Sequence, residues 1–265
     1  MDYKLILCST CFAFSSLAGI VSATPAIPAT PATKATPAEA PKPIDSPTTP
    51  KFNTQPWSPP RYAVIKKALL ENPCDILFVG DSITEQWEFV GKKVWDELFI
   101  PRKAVNFGVS GDRTESVLWR MQDTKLATTT PPKVCIVTIG TNNIGEWKCK
   151  QSAKEMVTGV KKIATELLNK FPKTRLIIMA TFPYGPEPKA ECRILGEQLD
   201  AEIAKIKLPR TKVLNINKHF LNTDGTFKEG IFKDKVHLTE KGYQVWADQI
   251  LPIIDKVLDT KKGGR

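Results

Sequence analysis

Five short apolar runs constrain this chain more than anything else in it. They are Asp75-Ile-Leu-Phe-Val79, Ala104–Phe107, Val134–Ile139, Leu176–Ala180 and Val213–Ile216. Runs of this length and continuity read as strands covered on both faces, because a half-exposed strand would alternate with polar residues. Helical patterns lie between them. Ala153, Met156, Val157, Val160, Ile163, Ala164, Leu167 and Leu168 mark one apolar face at a 3.6-residue period. Ser58-Pro59-Pro60 opens another helix, with Val64, Ile65, Ala68 and Leu69 at helical spacing behind it. A last helix is expected from Thr239 to Leu258, kinked or broken at Pro252. Strands separated by helices imply right-handed crossovers, and so an α/β fold with a parallel sheet between two helical layers. Ligands of such sheets bind beyond the carboxyl ends of the strands, so the chemistry is expected just after each apolar run.

The chain ahead of these runs has a different character. Residues 1–23 carry Lys4, an apolar stretch from Leu5 to Val21, and the small-x-small sequence Val21-Ser22-Ala23, the pattern of a cleaved signal peptide with Thr24 as the first mature residue. The stretch is short for a membrane span. Residues 24–60 are dominated by Pro, Ala, Thr and Lys, too poor in large apolar side chains to offset their ordering entropy, and read as a disordered linker. The folded domain is expected over residues 61–265, enough chain for one well-buried core. Lys and Arg total 38 against 28 Asp and Glu, a net charge of +10. No basic run interleaved with aromatics points to nucleic acid. The basicity therefore reads as solubility with a mild attraction for anionic surfaces or substrates. A secreted or periplasmic location follows from the signal, with no membrane span after its removal. Oligomeric state is left open, a homodimer being one option.

Cys8 and Cys11 fall in the signal, which leaves Cys74, Cys135, Cys149 and Cys192. An even number in an exported chain favours disulfides, and four cysteines allow three pairings. Cys149 and Cys192 each follow a strand-end loop and form the favoured pair, whereas Cys135 sits inside a strand. None of these four forms a Cys-x-x-Cys pair that would suggest structural zinc.

The first strand ends in Gly80-Asp81-Ser82-Ile83-Thr84. A serine there lies at the ligand edge, where a following helix would offer backbone N–H groups and a positive dipole to an oxyanion. Ser and Asp also fill ordinary helix caps, so this motif alone leaves both readings open. Serine needs an adjacent base, and the chain holds only His219 and His237. Asp234 precedes His237 by three residues, a spacing that lets its carboxylate orient the imidazole through Nδ1 and frees Nε2 for the serine proton. His219 has no carboxylate at matching spacing and reads as structural. After the second strand, Gly111 in Ser110-Gly111-Asp112 can present its N–H where a side chain would block approach. After the third, Gly140-Thr141-Asn142-Asn143 supplies an amide donor. Ser82, Gly111 and Asn142 would together form a three-donor oxyanion hole.

These blocks resemble the GDSL/SGNH hydrolase superfamily from about Arg61 to Leu258. Within it, Val105-Asn-Phe-Gly108, Gly111-Asp-Arg-Thr-Glu-Ser-Val-Leu-Trp-Arg120, Gly140-Thr-Asn-Asn143 and the Asp234-x-x-His237 turn are most similar to the group of the platelet-activating-factor acetylhydrolase Ib catalytic subunits. The resemblance implies a flavodoxin-like three-layer α/β/α sandwich with a five-stranded parallel sheet. It further implies a Ser82 nucleophile, His237 base, Asp234 support, oxyanion donors from Ser82, Gly111 and Asn142, and no cofactor. The expected activity is hydrolysis of small acyl esters, acetyl above all, on a small-molecule or glycan alcohol. Such a base makes activity fall as it protonates, near pH ~6.5 for an ordinary imidazole. Trp87 and Trp147, each five residues beyond a catalytic block, are candidates for stacking on sugar rings. The alternatives are a non-catalytic glycan- or surface-binding protein on the same scaffold and a lipid esterase held at the membrane by an uncleaved N-terminus.

Overall fold

The computed structural model describes residues 46–145 and 150–259. The elements run in chain order as α1 (Ser58–Glu71), β1 (Ile76–Gly80), α2 (Ser82–Glu85), α3 (Lys92–Val94), β2 (Ala104–Gly108), α4 (Thr114–Thr124), β3 (Val134–Thr138), α5 (Thr141–Gly145), α6 (Ala153–Lys170), β4 (Arg175–Met179), α7 (Glu191–Ile203), β5 (Thr211–Leu214) and α8 (Glu240–Asp259). The five strands form one sheet in the order β2-β1-β3-β4-β5, and every pairing is parallel. This is the expected three-layer α/β/α arrangement.

Two apolar layers explain the unbroken strand runs. Successive strand residues point to opposite faces. Leu77, Val79, Val105, Phe107, Cys135, Val137, Leu176 and Ile178 pack with side chains of α1, α4, α6 and α7. Ile76, Phe78, Ile136, Ile177 and Met179 pack on the other face, against α8 and the helical turns between Ile83 and Phe99. Both faces are therefore dry, and a polar residue has little room at either. Helix α6 begins with a reciprocal capping box, in which Ser152 Oγ accepts from the Glu155 N–H while the Glu155 carboxylate accepts from the Ser152 N–H.

Three expectations need correction. The ordered fold starts earlier than Arg61. Lys51 N–H donates to the Glu115 carbonyl, Thr114 Oγ1 donates to the buried Pro47 carbonyl, and Phe52 lies 4.6 Å from the Trp119 ring. Residues 46–60 belong to the domain because a few polar backbone anchors and one aromatic contact replace the apolar content they lack. Second, of the kink or break expected at Pro252, the break does not occur, because α8 runs through it as one helix. Pro252 is exposed, so the carbonyl left without its helical donor faces water. Third, Trp87 is fully buried, at 0% exposure, with its ring 4.5 to 6.1 Å from Trp95, Phe99, Tyr243, Trp246 and Phe78. It is a core residue and cannot stack on a substrate.

The signal, most of the linker, and Trp147 and Cys149 lie outside the described residues. Cys74 and Cys135 are buried and free, while Cys192 is disulfide-bonded. Among the described residues no helix is long and apolar enough to cross a membrane.

Candidate active site

Ser82 begins α2 immediately after β1, and Asp81 caps that helix by accepting from the Ile83 N–H at 2.9 Å. The helix has only four residues, so the expected dipole is weak and any anion stabilisation must come from individual N–H groups. As the first helical residue, Ser82 has an N–H that no preceding turn can satisfy. The end of β2 crosses this backbone closely. A Cβ on Gly108 would lie 2.4 Å from the Glu85 nitrogen, so only glycine lets the two segments meet.

The chain near its C-terminal helix is brought to the same edge. Tyr243 of α8 donates from its hydroxyl to the Ile83 carbonyl at 2.7 Å, and Lys233 Nζ donates to Gln86 Oε1 at 2.7 Å. These contacts seat the turn that precedes α8 beside α2. Ser82 Oγ and His237 Nε2 are then 2.8 Å apart, although 155 residues separate them. His237 Nδ1 lies 2.8 Å from Asp234 Oδ2, while Asp234 Oδ1 accepts from the Val236 and His237 N–H groups at 2.9 and 2.8 Å. Burial pushes the Asp234 carboxyl up, but those two N–H bonds and the imidazole outweigh it and hold the group below the usual carboxylate range. An ionised Asp234 favours the tautomer with hydrogen on Nδ1, leaving Nε2 as an acceptor towards the serine. His219 lies in a turn before Phe220, and its imidazole makes no hydrogen bond among the described residues.

Gly111 sits in a turn closed by the Asp112 N–H on the Val109 carbonyl at 3.1 Å, with φ of +79°. Glycine is needed for that backbone angle rather than for space, since the nearest atom to an added Cβ would be 3.6 Å away. Asn142, in α5, donates one Nδ2 hydrogen to the Asp112 carbonyl at 2.9 Å. An amide has two such hydrogens, so the bond orients the group and leaves the other for a ligand. The three expected donors thus come from the loops after β1, β2 and β3.

Beneath them lies a charged network that sequence inspection did not single out. Arg120 of α4 places Nε and a terminal nitrogen 2.7 and 2.6 Å from Asp112 Oδ2, and it also donates to the Phe107 and Gly80 carbonyls at 2.9 and 3.2 Å. One guanidinium therefore ties the ends of β1 and β2 to the Gly111 loop. Arg120 and Asp112 are 2% and 0% exposed, so the pair is fully desolvated. Burial raises the Asp112 carboxyl against the opposing pull of Arg120 and Asn53, and burial lowers Arg120 against the pull of Asp112. On the outer side, Asn53 Nδ2 donates to Asp112 Oδ1 at 2.8 Å and to the Ser110 carbonyl at 3.1 Å, and Trp57 Nε1 donates to that carbonyl at 2.8 Å. Glu85 accepts from the Ser110 hydroxyl at 2.6 Å. Asp81 also differs from an ordinary cap. Its carboxyl is buried with Oδ2 unpartnered, and burial, opposed by the Ile83 N–H and aided by the Asp112 charge, pushes it up to about 7. Among the described residues no group of three or more His, Cys, Asp or Glu is placed to hold a metal ion.

A doubly covered parallel sheet, with a serine–imidazole–carboxylate chain at its carboxyl edge, defines the class of α/β ester hydrolases. The chain belongs to the GDSL-like lipase/acylhydrolase family, whose model matches residues 78–245. It is 32% identical over 187 residues to the platelet-activating factor acetylhydrolase IB subunit alpha2 of Rattus norvegicus, covering 70% of this chain and 78% of that protein. A putative acylhydrolase from Bacteroides fragilis superposes with a TM-score of 0.62 at 18% identity, covering 78% of this chain and 100% of that one. A catalytic mutant of an acetylxylan esterase from Geobacillus stearothermophilus gives 0.52 at 16% identity, covering 69% and 94%. At these identities the two structures speak for the fold.

Proposed function

We propose that this protein is an exported serine esterase that removes small acyl groups, acetyl in particular, from ester substrates. The observation that carries the reading is the 2.8 Å contact between Ser82 Oγ and His237 Nε2, with Asp234 behind the imidazole. In the first step Ser82 attacks the ester carbonyl while His237 takes its proton. The oxyanion is met by the N–H groups of Ser82 and Gly111 and the free Asn142 amide hydrogen. Collapse breaks the ester C–O bond, and the imidazolium returns its proton to the departing alcohol. Water, deprotonated by His237, then attacks the acyl-serine and releases the carboxylic acid and free Ser82. Acetyl preference draws support from the acetylhydrolase and acetylxylan esterase among the similar proteins. Export draws support from the signal pattern at residues 1–23, and it accords with a disulfide at Cys192, for which Cys149 is the proposed partner.

The test is turnover of p-nitrophenyl acetate by the wild type and by Ser82→Ala. The variant should lose at least about a thousandfold in kcat/KM while its thermal transition stays in place. Equal rates for the two proteins would remove the esterase reading.

A further inference from the structure

Among the described residues, the segment ahead of α1 supplies the one exposed aromatic ring that these contacts place at the Gly111 loop. Trp57 is 49% exposed, yet its indole is not free to swing, because Nε1 is held by the Ser110 carbonyl at 2.8 Å. The fixed edge runs along the outer side of Gly111. A Cβ placed on that glycine would lie 3.8 Å from Trp57 Cζ2 and 3.9 Å from Nε1. The ring therefore stands as a wall directly beside a proposed oxyanion donor. Its polar edge is spent on the protein, and about half of the residue is open to solvent.

The surroundings narrow what such a wall contacts. Asn53 shares the Ser110 carbonyl with Trp57, so both side chains are tied to the loop that carries Gly111. The exposed neighbours of Trp57 along the chain are Thr54, Gln55 and Pro56, with Pro59 and Pro60 just beyond the buried Ser58. A lipid surface asks for a contiguous apolar patch. An indole flanked by Thr54, Gln55 and three small proline rings, with no other large apolar side chain exposed between Thr54 and Pro60, instead suits a ring with one C–H face and a periphery of hydroxyls. We infer that Trp57 is a specificity-determining residue that stacks on the pyranose ring of an O-acetylated glycan, holding the alcohol half of the ester against the Gly111 loop. This rests on the esterase reading above and names its substrate class. The role foreseen for Trp87 thus falls to a residue read as linker.

The experiment compares wild type, Trp57→Ala and Trp57→Phe on an O-acetylated xylo-oligosaccharide and on ethyl acetate, whose alcohol offers no ring. Trp57→Ala should raise KM for the oligosaccharide about tenfold with kcat held within about twofold. Trp57→Phe, which keeps a stacking face but loses the Nε1 donor, should recover most of that affinity. An equal fall in kcat on both substrates would mean that the indole only props the Ser110 loop, and the inference would be lost. So would an unchanged KM in Trp57→Ala, or a wild type that cleaves ethyl acetate and ignores the glycan. Failure of the wild type on both esters would instead overturn the esterase reading. In that case, fluorescence titration of Ser82→Ala with the oligosaccharide, with and without Trp57→Phe, decides the binding role separately. Loss of the titration signal in the double variant upholds it, and no signal in either sinks it.

Discussion

Replacing Arg120 by Met removes the guanidinium while keeping most of the side-chain volume, and its cost follows from what is left behind. Asp112 would lose both of its close nitrogens and keep only the Asn53 amide for its carboxylate, at 0% exposure. Breaking a buried ion pair from one side costs about 3–5 kcal/mol, because the remaining charge has no water to turn to. The carbonyls of Phe107 and Gly80 lose a charged donor as well, which places the expectation near the upper end of that range. Urea unfolding at pH 7 measures it directly. Two further readings separate the charge effect from a packing defect. Asp112→Asn in the same background should recover at least about 2 kcal/mol, since it removes the stranded charge. The deficit should also narrow as pH falls. Without Arg120 the folded-state pKa of Asp112 rises further above the unfolded value near 3.9, so the charge part of the penalty is full above the folded pKa and vanishes below the unfolded one, leaving the share of the two carbonyls. Activity should suffer too if Asn142 is an oxyanion donor as proposed, because the Asp112 carbonyl orients it and one lost donor is worth about 3 kcal/mol, or roughly a hundredfold in kcat. A deficit below about 1 kcal/mol, or one that stays constant from pH 8 to pH 5, would refute the reasoning.

Two other outcomes are expected. Trp87→Ala should cost about 3–5 kcal/mol in chemical unfolding by opening the aromatic layer under α8, with KM on small esters unchanged wherever the variant is folded. Asp81, pushed up to about 7, binds its proton more tightly folded than unfolded, so its contribution to stability is fully present below about pH 4 and is lost as pH rises through 7. Thermal transitions of Asp81→Asn and wild type should therefore change their separation between pH 4 and pH 7, with the wild type losing ground by up to about 4 kcal/mol over that span and no further above it, and parallel curves would contradict this.

Much of this site was legible because its parts carry local signals. The strand runs are continuous since both sheet faces are dry, so Ser82, Gly111 and Asn142 could each be placed at a strand end from spacing alone. His237 followed from the scarcity of imidazoles, and Asp234 from a three-residue offset within one turn. What escaped notice depends on distant partners. Arg120 is one cation among 38 until Asp112, Phe107 and Gly80 are seen around it. Trp87 looked like a rim residue because sequence distance from Ser82 says nothing about direction, and it points into the layer under α8 rather than out of the cleft. The border at Arg61 rests on composition, which cannot register that Asn53 and Trp57 are bound by side-chain hydrogen bonds to a loop more than 50 residues away. A lone tryptophan in Gln55-Pro56-Trp57, within a stretch otherwise short of large side chains, was the available hint.

The serine and the imidazole it touches lie 155 residues apart in the chain, and the Tyr243 hydroxyl that helps to seat them belongs to α8, near the far end of the fold. A ribosome-bound chain, or one clipped ahead of Asp234, would carry an ordinary hydroxyl with nothing to activate it. On the proposed mechanism, ester cleavage is therefore a readout of complete folding.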